Sequence, residues 1–223
     1  MTVGDYRPIT LYNVFYKIIS KILTLRLQPI LNGIISENQS AFVPGRAISD
    51  NVMITHEVLH FLKISSAKKQ CSMTVKTDMS KAYDRIEWDF LTAVQRRMGF
   101  HPKWINWIHQ CVSSVTYSYL IIIRLMDKKA QGQGSLHGIH VATNSPRVNH
   151  LLFADDTMFF CKSSTNNCKA LKRILQEYEQ ASGQKINVDK SSITFSAKTS
   201  QVSRSQAKQI LGIVKERSFC PDR

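Results

Sequence analysis

Two adjacent carboxylates lie between two apolar runs, and this arrangement constrains the fold more than any other part of the sequence. Asp155 and Asp156 separate the runs 148–152 and 157–161. This pattern predicts a β-hairpin with both acids at its tip. Because like charges repel there while the flanking strands favour burial, a compensating cation is expected. Two Mg²⁺ ions are the first candidate, since Mg²⁺ takes oxygen ligands and organises phosphoryl transfer.

The composition predicts a protein with a polyanionic partner. The chain has 223 residues, of which 43% are hydrophobic, and 30 Lys and Arg against 16 Asp and Glu give a net charge of +14. Nucleic acid is the first such partner and an anionic membrane the second. No membrane span is expected, because the apolar runs are far too short. Without a recognisable signal sequence at Met1–Tyr6, the expected location is intracellular.

The five cysteines are odd in number and form no C-x-x-C pair, which favours buried thiols over disulfides or a structural zinc site. The hydrophobic periodicity predicts an α+β protein. The first helix is expected to begin after Asn13 and to end near Pro29, and the chain after Ser203 to form at most one weak helix. Further helices are predicted at 48–65, 87–98, 102–115 and 166–181, and strands at 72–77 and 193–195.

A third carboxylate, Asp78, follows the strand 72–77. If this strand lies beside the hairpin, Asp78, Asp155 and Asp156 converge and can hold two divalent ions ~3.5–4 Å apart. Such a site would activate an attacking hydroxyl and neutralise a triphosphate. Either element alone would be ordinary, because Asp is common in turns.

Five motifs occur in the order seen in reverse transcriptases of non-LTR (LINE-type) retrotransposons, and the chain resembles this family from about Tyr6 to Phe195. The resemblance implies an RNA-directed DNA polymerase with two Mg²⁺ ions, for which Mn²⁺ can substitute. Its partners would be an RNA template, a DNA primer and deoxynucleoside triphosphates, and its compartment the nucleus. The motifs are Arg7–Leu11, Gln39–Arg46, Lys76–Asp84, Phe153–Asp156 and Gly183–Asn187.

The same resemblance implies the fingers and palm of a right-hand polymerase, with a small antiparallel palm sheet backed by helices. Residues 1–70 would form the fingers-like part and residues 71–200 the palm-like part. Residues 201–223 would be a truncated tail, so that the fold would be incomplete.

The catalytic roles follow from the matched motifs. Asp78 and Asp155 are the implied main metal ligands, and Asp156 supports them. Lys190 resembles the lysine that protonates the leaving pyrophosphate; the alternative is an ordinary surface lysine.

Three residues match nucleotide-binding positions of the family. Arg7 and Arg46 correspond to fingers arginines near the triphosphate, and Tyr83 to the aromatic side chain under the incoming sugar. The alternatives are solvated or phosphate-steering charges for the arginines and a core position for the tyrosine.

One family block is missing. Between the Lys76–Asp84 and Phe153–Asp156 motifs the family carries a segment similar to G-x-x-Q-G-D-P-L-S-P, whereas this chain passes directly from Tyr117–Ile121 to Arg124–Ala130. A deletion near 121–124 is therefore predicted. Because a misplacement of about 1 Å can cost roughly a hundredfold in rate, polymerase activity is expected to be severely reduced. The alternative functions are a non-catalytic RNA- or DNA-binding fragment and a two-metal nuclease.

Overall fold

A computed structural model describes residues 13–67, 71–80, 85–113, 138–142, 145–154 and 156–219 of the chain. The predicted deletion near 121–124 lies outside these residues. The helices are α1 (Val14–Ile34), α2 (Ile48–Ile64), α3 (Trp88–Arg97), α4 (Pro102–Ser113), α5 (Thr165–Ser182) and α6 (Gln201–Leu211). The strands are β1 (Ser72–Thr77), β2 (Met79–Ser80), β3 (Ile139–His140), β4 (Arg147–Val148), β5 (His150–Phe153), β6 (Asp156–Lys162), β7 (Lys185–Ile186) and β8 (Ser192–Phe195).

The main sheet has four antiparallel strands in the order β5-β6-β1-β8. The hairpin predicted around the paired carboxylates is formed by β5 and β6, and β6 continues the sheet onto β1. The strand that precedes Asp78 therefore lies directly beside the hairpin, as predicted. The α+β class is also confirmed, because helices pack against an antiparallel sheet.

The two faces of the sheet carry different side chains, because successive residues of a strand point to opposite sides. One face packs against α5 and α6 and contributes most of the hydrophobic core. The other face packs against α2. The first core contains Met73, Val75, Phe159, Cys161, Leu171, Ile193, Phe195 and Leu211, and the second contains Val58, Leu62, Leu151 and Phe160.

Helix α1 begins as predicted but does not end at Pro29. The side chain of Asn13 caps it by accepting a hydrogen bond from the amide of Phe15 at 3.0 Å, and the helix continues to Ile34. Pro29 removes the helical donor for the carbonyl of Leu25. Both residues are on the exposed side of α1, so water can hydrate that carbonyl and the helix is not broken.

The described part of the chain after Phe195 contains one helix, as the sequence allowed, but the prediction that this helix is weak is wrong. Helix α6 has 11 residues, an N-cap at Ser200 and a left-handed C-cap at Gly212. Ala207 and Leu211 are almost fully buried in the main core. The helix is therefore part of the packed domain.

Burial explains the chemistry of the two core thiols. It raises the pKa of Cys168 to about 11 and also raises that of Cys161. Both side chains are therefore protonated near neutral pH and pack as small hydrophobic groups. Among the described helices, none is both long enough and apolar enough to cross a bilayer.

Candidate active site

Two acidic residues meet at one end of the main sheet, here called the acidic edge: Asp78 and Asp156. Thr77, the last residue of β1, is opposite Thr157 of β6. Asp78 follows Thr77, and Asp156 is the first residue of β6, opposite Phe153 of β5. The antiparallel register thus places the end of β1 next to the tip of the hairpin.

A lysine supplies a positive charge at this edge. Lys76 Nζ lies 3.1 Å from Asp156 Oδ1, and the two side chains are 33% and 45% exposed. Lys76 lies two residues before Asp78, which places both on the same face of the strand. The sequence predicts a cation beside the paired acids, and Lys76 supplies a positive charge to Asp156, although the sequence analysis does not identify this lysine. The sequence signal for Lys76 is its position two residues before Asp78, on the same face of the strand.

The backbone of Asp78 is fixed by the turn that leads to β8. Its amide donates to Ser191 Oγ at 3.1 Å, and its carbonyl accepts from the amide of Asn187 at 2.8 Å. Ser191 Oγ in turn donates to the carbonyl of Asn187 at 2.7 Å. The short β2–β7 ladder, which begins with Met79 opposite Ile186, holds the next residue.

Lys190 belongs to the same turn. Its amide donates to Asn187 Oδ1 at 3.2 Å, and the residue is exposed. The turn thus links Lys190 through Asn187 to the backbone of Asp78. Hydrogen bonds of Asn187 therefore connect Lys190, the predicted catalytic lysine, with Asp78, a predicted metal ligand.

At the tip of the hairpin, Ala154 has an unusual backbone conformation. Phe153 pairs with Asp156, and Ala154 between them has a positive φ of 55°. An L-residue with a side chain rarely adopts this region, which is unfavourable by about 1–2 kcal/mol. Ala154 donates its amide hydrogen to Gln39 Oε1 at 3.3 Å. A loop distant in sequence therefore supports the turn that carries the paired acids.

That loop lies along the outer edge of β5. The amide of Leu152 donates to the carbonyl of Asn38 at 2.9 Å, and the amide of Ser40 donates to the carbonyl of Leu152 at 3.2 Å. The side chain of Asn51 on α2 donates to the same carbonyl at 2.9 Å. The loop thereby covers an edge strand that would otherwise expose unpaired backbone groups.

The guanidinium group of Arg46 closes the loop on itself. Nη1 donates to the carbonyls of Ser36 and Gln39, the latter at 2.7 Å, and Nη2 donates to the carbonyl of Ile35 at 3.2 Å. Arg46 therefore satisfies carbonyls that follow the end of α1. Its predicted role at a nucleotide stays a prediction.

Three of the predicted site residues, Arg7, Tyr83 and Asp155, lie outside the described residues. Within the described part of the chain, no three His, Cys, Asp or Glu residues form a group that could hold a metal ion. The two described acids nevertheless suit a divalent cation in their chemistry, and the strand register brings them to the same edge of the sheet. Carboxylate oxygens are the ligands that Mg²⁺ prefers, and Asp156 already has a cationic neighbour in Lys76.

The chain is similar to known proteins along most of its length. A family model described as reverse transcriptase (RNA-dependent DNA polymerase) matches residues 2–214. The transposon TX1 uncharacterized 149 kDa protein of Xenopus laevis is 29% identical over 136 residues, which are 61% of this chain and 10% of the frog protein. An uncharacterized mitochondrial protein of Arabidopsis thaliana is 70% identical over 30 residues, or 14% of this chain and 25% of that protein. The matched segments thus span a quarter or less of these relatives.

Proposed function

Because this chain belongs to the reverse transcriptase (RNA-dependent DNA polymerase) family, we propose that it is the fingers and palm portion of an RNA-directed DNA polymerase. The family assignment made from five ordered motifs is confirmed by the family match and by the similarity to a transposon protein. In this proposal residues 1–70 belong to the fingers, residues 71–200 to the palm and residues 201–223 to the tail.

One observation carries the proposal: β1 and β6 are adjacent antiparallel strands, so Asp78 lies beside the hairpin that carries the paired acids. In this arrangement Asp78, Asp155 and Asp156 would hold two Mg²⁺ ions. Reverse transcriptases generally use divalent metals, an RNA or DNA template with a primer, and deoxynucleoside triphosphates. Bound metal would lower the pKa of the attacking hydroxyl and offset the charge of the leaving pyrophosphate.

The protein side chains perform the remaining steps. Lys190 protonates the leaving pyrophosphate, and Arg7 and Arg46 contact the triphosphate. Tyr83 packs under the incoming sugar. Since phosphoryl transfer needs little covalent chemistry from the protein, these residues act by position and charge.

We further propose that the chain is a defective remnant. The family block missing near 121–124 supports the templating base and the nucleotide pocket in related polymerases. An acidic edge without it can bind metal while the substrate is poorly placed. A misplacement of about 1 Å can cost roughly a hundredfold in rate. The protein is therefore expected to bind metal but to polymerise poorly.

The test compares Mn²⁺ binding, measured by the electron paramagnetic resonance signal of free Mn²⁺, with primer extension on an RNA template. The wild-type chain is expected to bind Mn²⁺ and to extend the primer weakly or not at all. Asp156→Asn is expected to weaken Mn²⁺ binding at least about tenfold, since one carboxylate ligand is lost. Glu57→Gln, an exposed acid on α2, is the matched control.

The possible outcomes separate the parts of the proposal. Robust extension abolished by Asp155→Asn would contradict the defective state and support a working polymerase. Equal Mn²⁺ binding by wild type and Asp156→Asn would contradict the metal site. Metal-dependent cleavage of nucleic acid without added nucleotide would favour a two-metal nuclease instead.

The net charge of +14 favours a second candidate function, polyanion binding without catalysis. A basic chain can retain affinity for RNA or DNA through phosphate contacts alone. This candidate predicts binding that does not depend on divalent metal or on Asp156.

A further inference from the structure

We propose that Gln39 is a positioning residue for the hairpin of the acidic edge, a role that rests on the proposed metal site. Its side-chain oxygen holds the turn at Ala154 and thereby sets the position of Asp156, which begins β6 two residues later. The interaction joins a residue of the proposed fingers to the centre of the proposed palm.

The hydrogen bonds of Gln39 show how one side chain can do this. Oε1 accepts from the amide of Ala41 at 2.9 Å and from the amide of Ala154 at 3.3 Å. These two donors define the amide orientation, because a flipped side chain would place Nε2 against two N–H groups. The residue is only 3% exposed, and Nε2 is buried without a partner among the described residues. The described hydrogen bonds that compensate its burial are therefore those of Oε1.

One of these bonds goes to a residue in the left-handed region, and the other goes to the residue that precedes one. Among the described residues, Phe42 and Ala154 are the non-glycine residues with positive φ, at 61° and 55°. Ala154 is bonded directly to Gln39, and Ala41 is the residue immediately before Phe42. Such conformations persist only where the surroundings hold them, and they concentrate at functional sites. One buried side chain thus holds the left-handed residue of the hairpin directly and fixes the residue before the left-handed residue of the loop.

Gln39 is itself held from two sides. Arg46 donates to its carbonyl at 2.7 Å, and the flanking residues Asn38 and Ser40 pair with Leu152 of β5. Because this segment is held on both sides, the side chain of Gln39 can hold Ala154 in a fixed position. Supporting groups of this kind typically change metal affinity by roughly 10- to 100-fold when they are replaced.

The experiment uses the full chain and three variants. Gln39→Met has a similar length but no acceptor, Gln39→Glu keeps an acceptor oxygen, and Ser40→Ala removes a neighbouring buried hydroxyl that has no partner among the described residues. Hydrogen exchange of the peptide that contains residues 153–157 is measured by mass spectrometry without metal. Mn²⁺ affinity and melting temperature are measured on the same samples.

Gln39→Met is expected to accelerate exchange at the hairpin tip roughly 2- to 10-fold, the value of one lost hydrogen bond. It is also expected to weaken Mn²⁺ binding roughly tenfold. In Gln39→Glu, the exchange rate and the Mn²⁺ affinity are both expected to stay within about threefold of wild type, because backbone amides donate well to a carboxylate. Ser40→Ala should leave both unchanged.

Three results would overturn the proposal. Unchanged exchange in Gln39→Met would show that Gln39 does not hold the turn. Faster exchange with unchanged Mn²⁺ affinity would reduce Gln39 to a structural residue. Absence of Mn²⁺ binding in the wild-type chain would contradict the proposed metal site and, with it, the role of Gln39. A loss of Mn²⁺ binding in Gln39→Met alone would instead be consistent with both.

Discussion

At the scale of single residues, Lys76 is the side chain that a metal ion would have to displace. Its ammonium lies 3.1 Å from Asp156 Oδ1, on the strand face that leads to Asp78. Lys76→Met is therefore expected to tighten Mn²⁺ binding about two- to fivefold, since a partly exposed pair contributes up to about 1 kcal/mol. A titration followed by the signal of free Mn²⁺ measures the change.

The control for Lys76→Met is Lys169→Met, which alters the net charge equally on an exposed position of α5. Weaker binding by Lys76→Met would mean that the lysine supports the metal ligands instead of competing with the ion. Melting temperatures in EDTA should differ little between the two variants, because exposed ion pairs contribute little to stability.

At the scale of elements, the end of α5 depends on close packing at a glycine. Gly183 has a φ of 75°, and a Cβ there would lie 2.7 Å from the carbonyl oxygen of Arg85 and 2.8 Å from Cγ of Glu87. Gly183→Ala is expected to lower the free energy of unfolding by at least about 2–3 kcal/mol, because the left-handed backbone and the clash act together. Urea denaturation measures this loss.

Gly212 provides the matched comparison for that substitution. It has nearly the same φ, 76°, but the nearest atom to a new Cβ would be the flexible Lys172 Nζ at 3.7 Å. Gly212→Ala should cost only the conformational term of about 1 kcal/mol. Equal losses in the two variants would contradict the role of close packing at Gly183.

The C-terminal helix α6 is joined to the following segment by an ion-pair cluster that makes stability depend on pH. Glu216 contacts Arg204 and lies 2.6 Å from Lys208. Burial alone would raise the pKa of the Glu216 carboxyl, but the hydrogen bond from Lys208 and the charge of Arg204 outweigh it, so the pKa is lowered from 4.5. A lowered pKa contributes stability above the unfolded value, and this is lost as the pH falls through the folded value.

Replacing Glu216 should therefore make the free energy of unfolding depend less on pH in the acidic range. Glu216→Gln is expected to be less stable than wild type at pH 7 and to lose less further stability between about pH 5 and pH 3. Thermal unfolding across that range measures the difference. Glu57→Gln should follow the wild-type profile, and an equally steep loss in Glu216→Gln would contradict the assignment.

The elements that could be predicted from the sequence are those with local signals. Helix α5 was found within one residue at each end because its apolar period and Gly183 are local features. The β2–β7 ladder joins Met79 to Ile186, and no local pattern marks two-residue strands so far apart. The end of α1 could not be predicted from Pro29 alone. The effect of this proline depends on whether water can hydrate the carbonyl of Leu25, which loses its helical donor.

The candidate site divides in the same way. Asp78 and the paired acids were predicted to converge from their places on strands, and the β1–β6 register brings Asp78 and Asp156 to one edge. The contributions of Lys76 and Gln39 could not be predicted so directly. Lys76 depends on strand pairing, and Gln39 depends on a loop that meets a turn 115 residues away.

At the scale of the whole molecule, the excess of positive charge predicts salt-dependent binding of nucleic acid. The net charge of +14 favours contacts with several phosphates. If about six phosphates are neutralised, affinity for a single strand should fall roughly 300-fold between 50 and 200 mM salt. Filter binding to single-stranded RNA measures this, and the slope should be the same for Asp156→Asn. No binding at the lower salt concentration would contradict the prediction.

The central position of β1 has a consequence for how the chain is made. Thr77 of β1 meets Thr157 of β6 across 80 residues of sequence, and its other neighbour, β8, comes later still. At roughly 5–20 residues per second, the ribosome needs about 4–16 s to add those 80 residues. During that time β1 has emerged with both hydrogen-bonding edges open, which favours pairing with other nascent chains. A transcript that ends before the codon of Asp156 would make this transient state permanent.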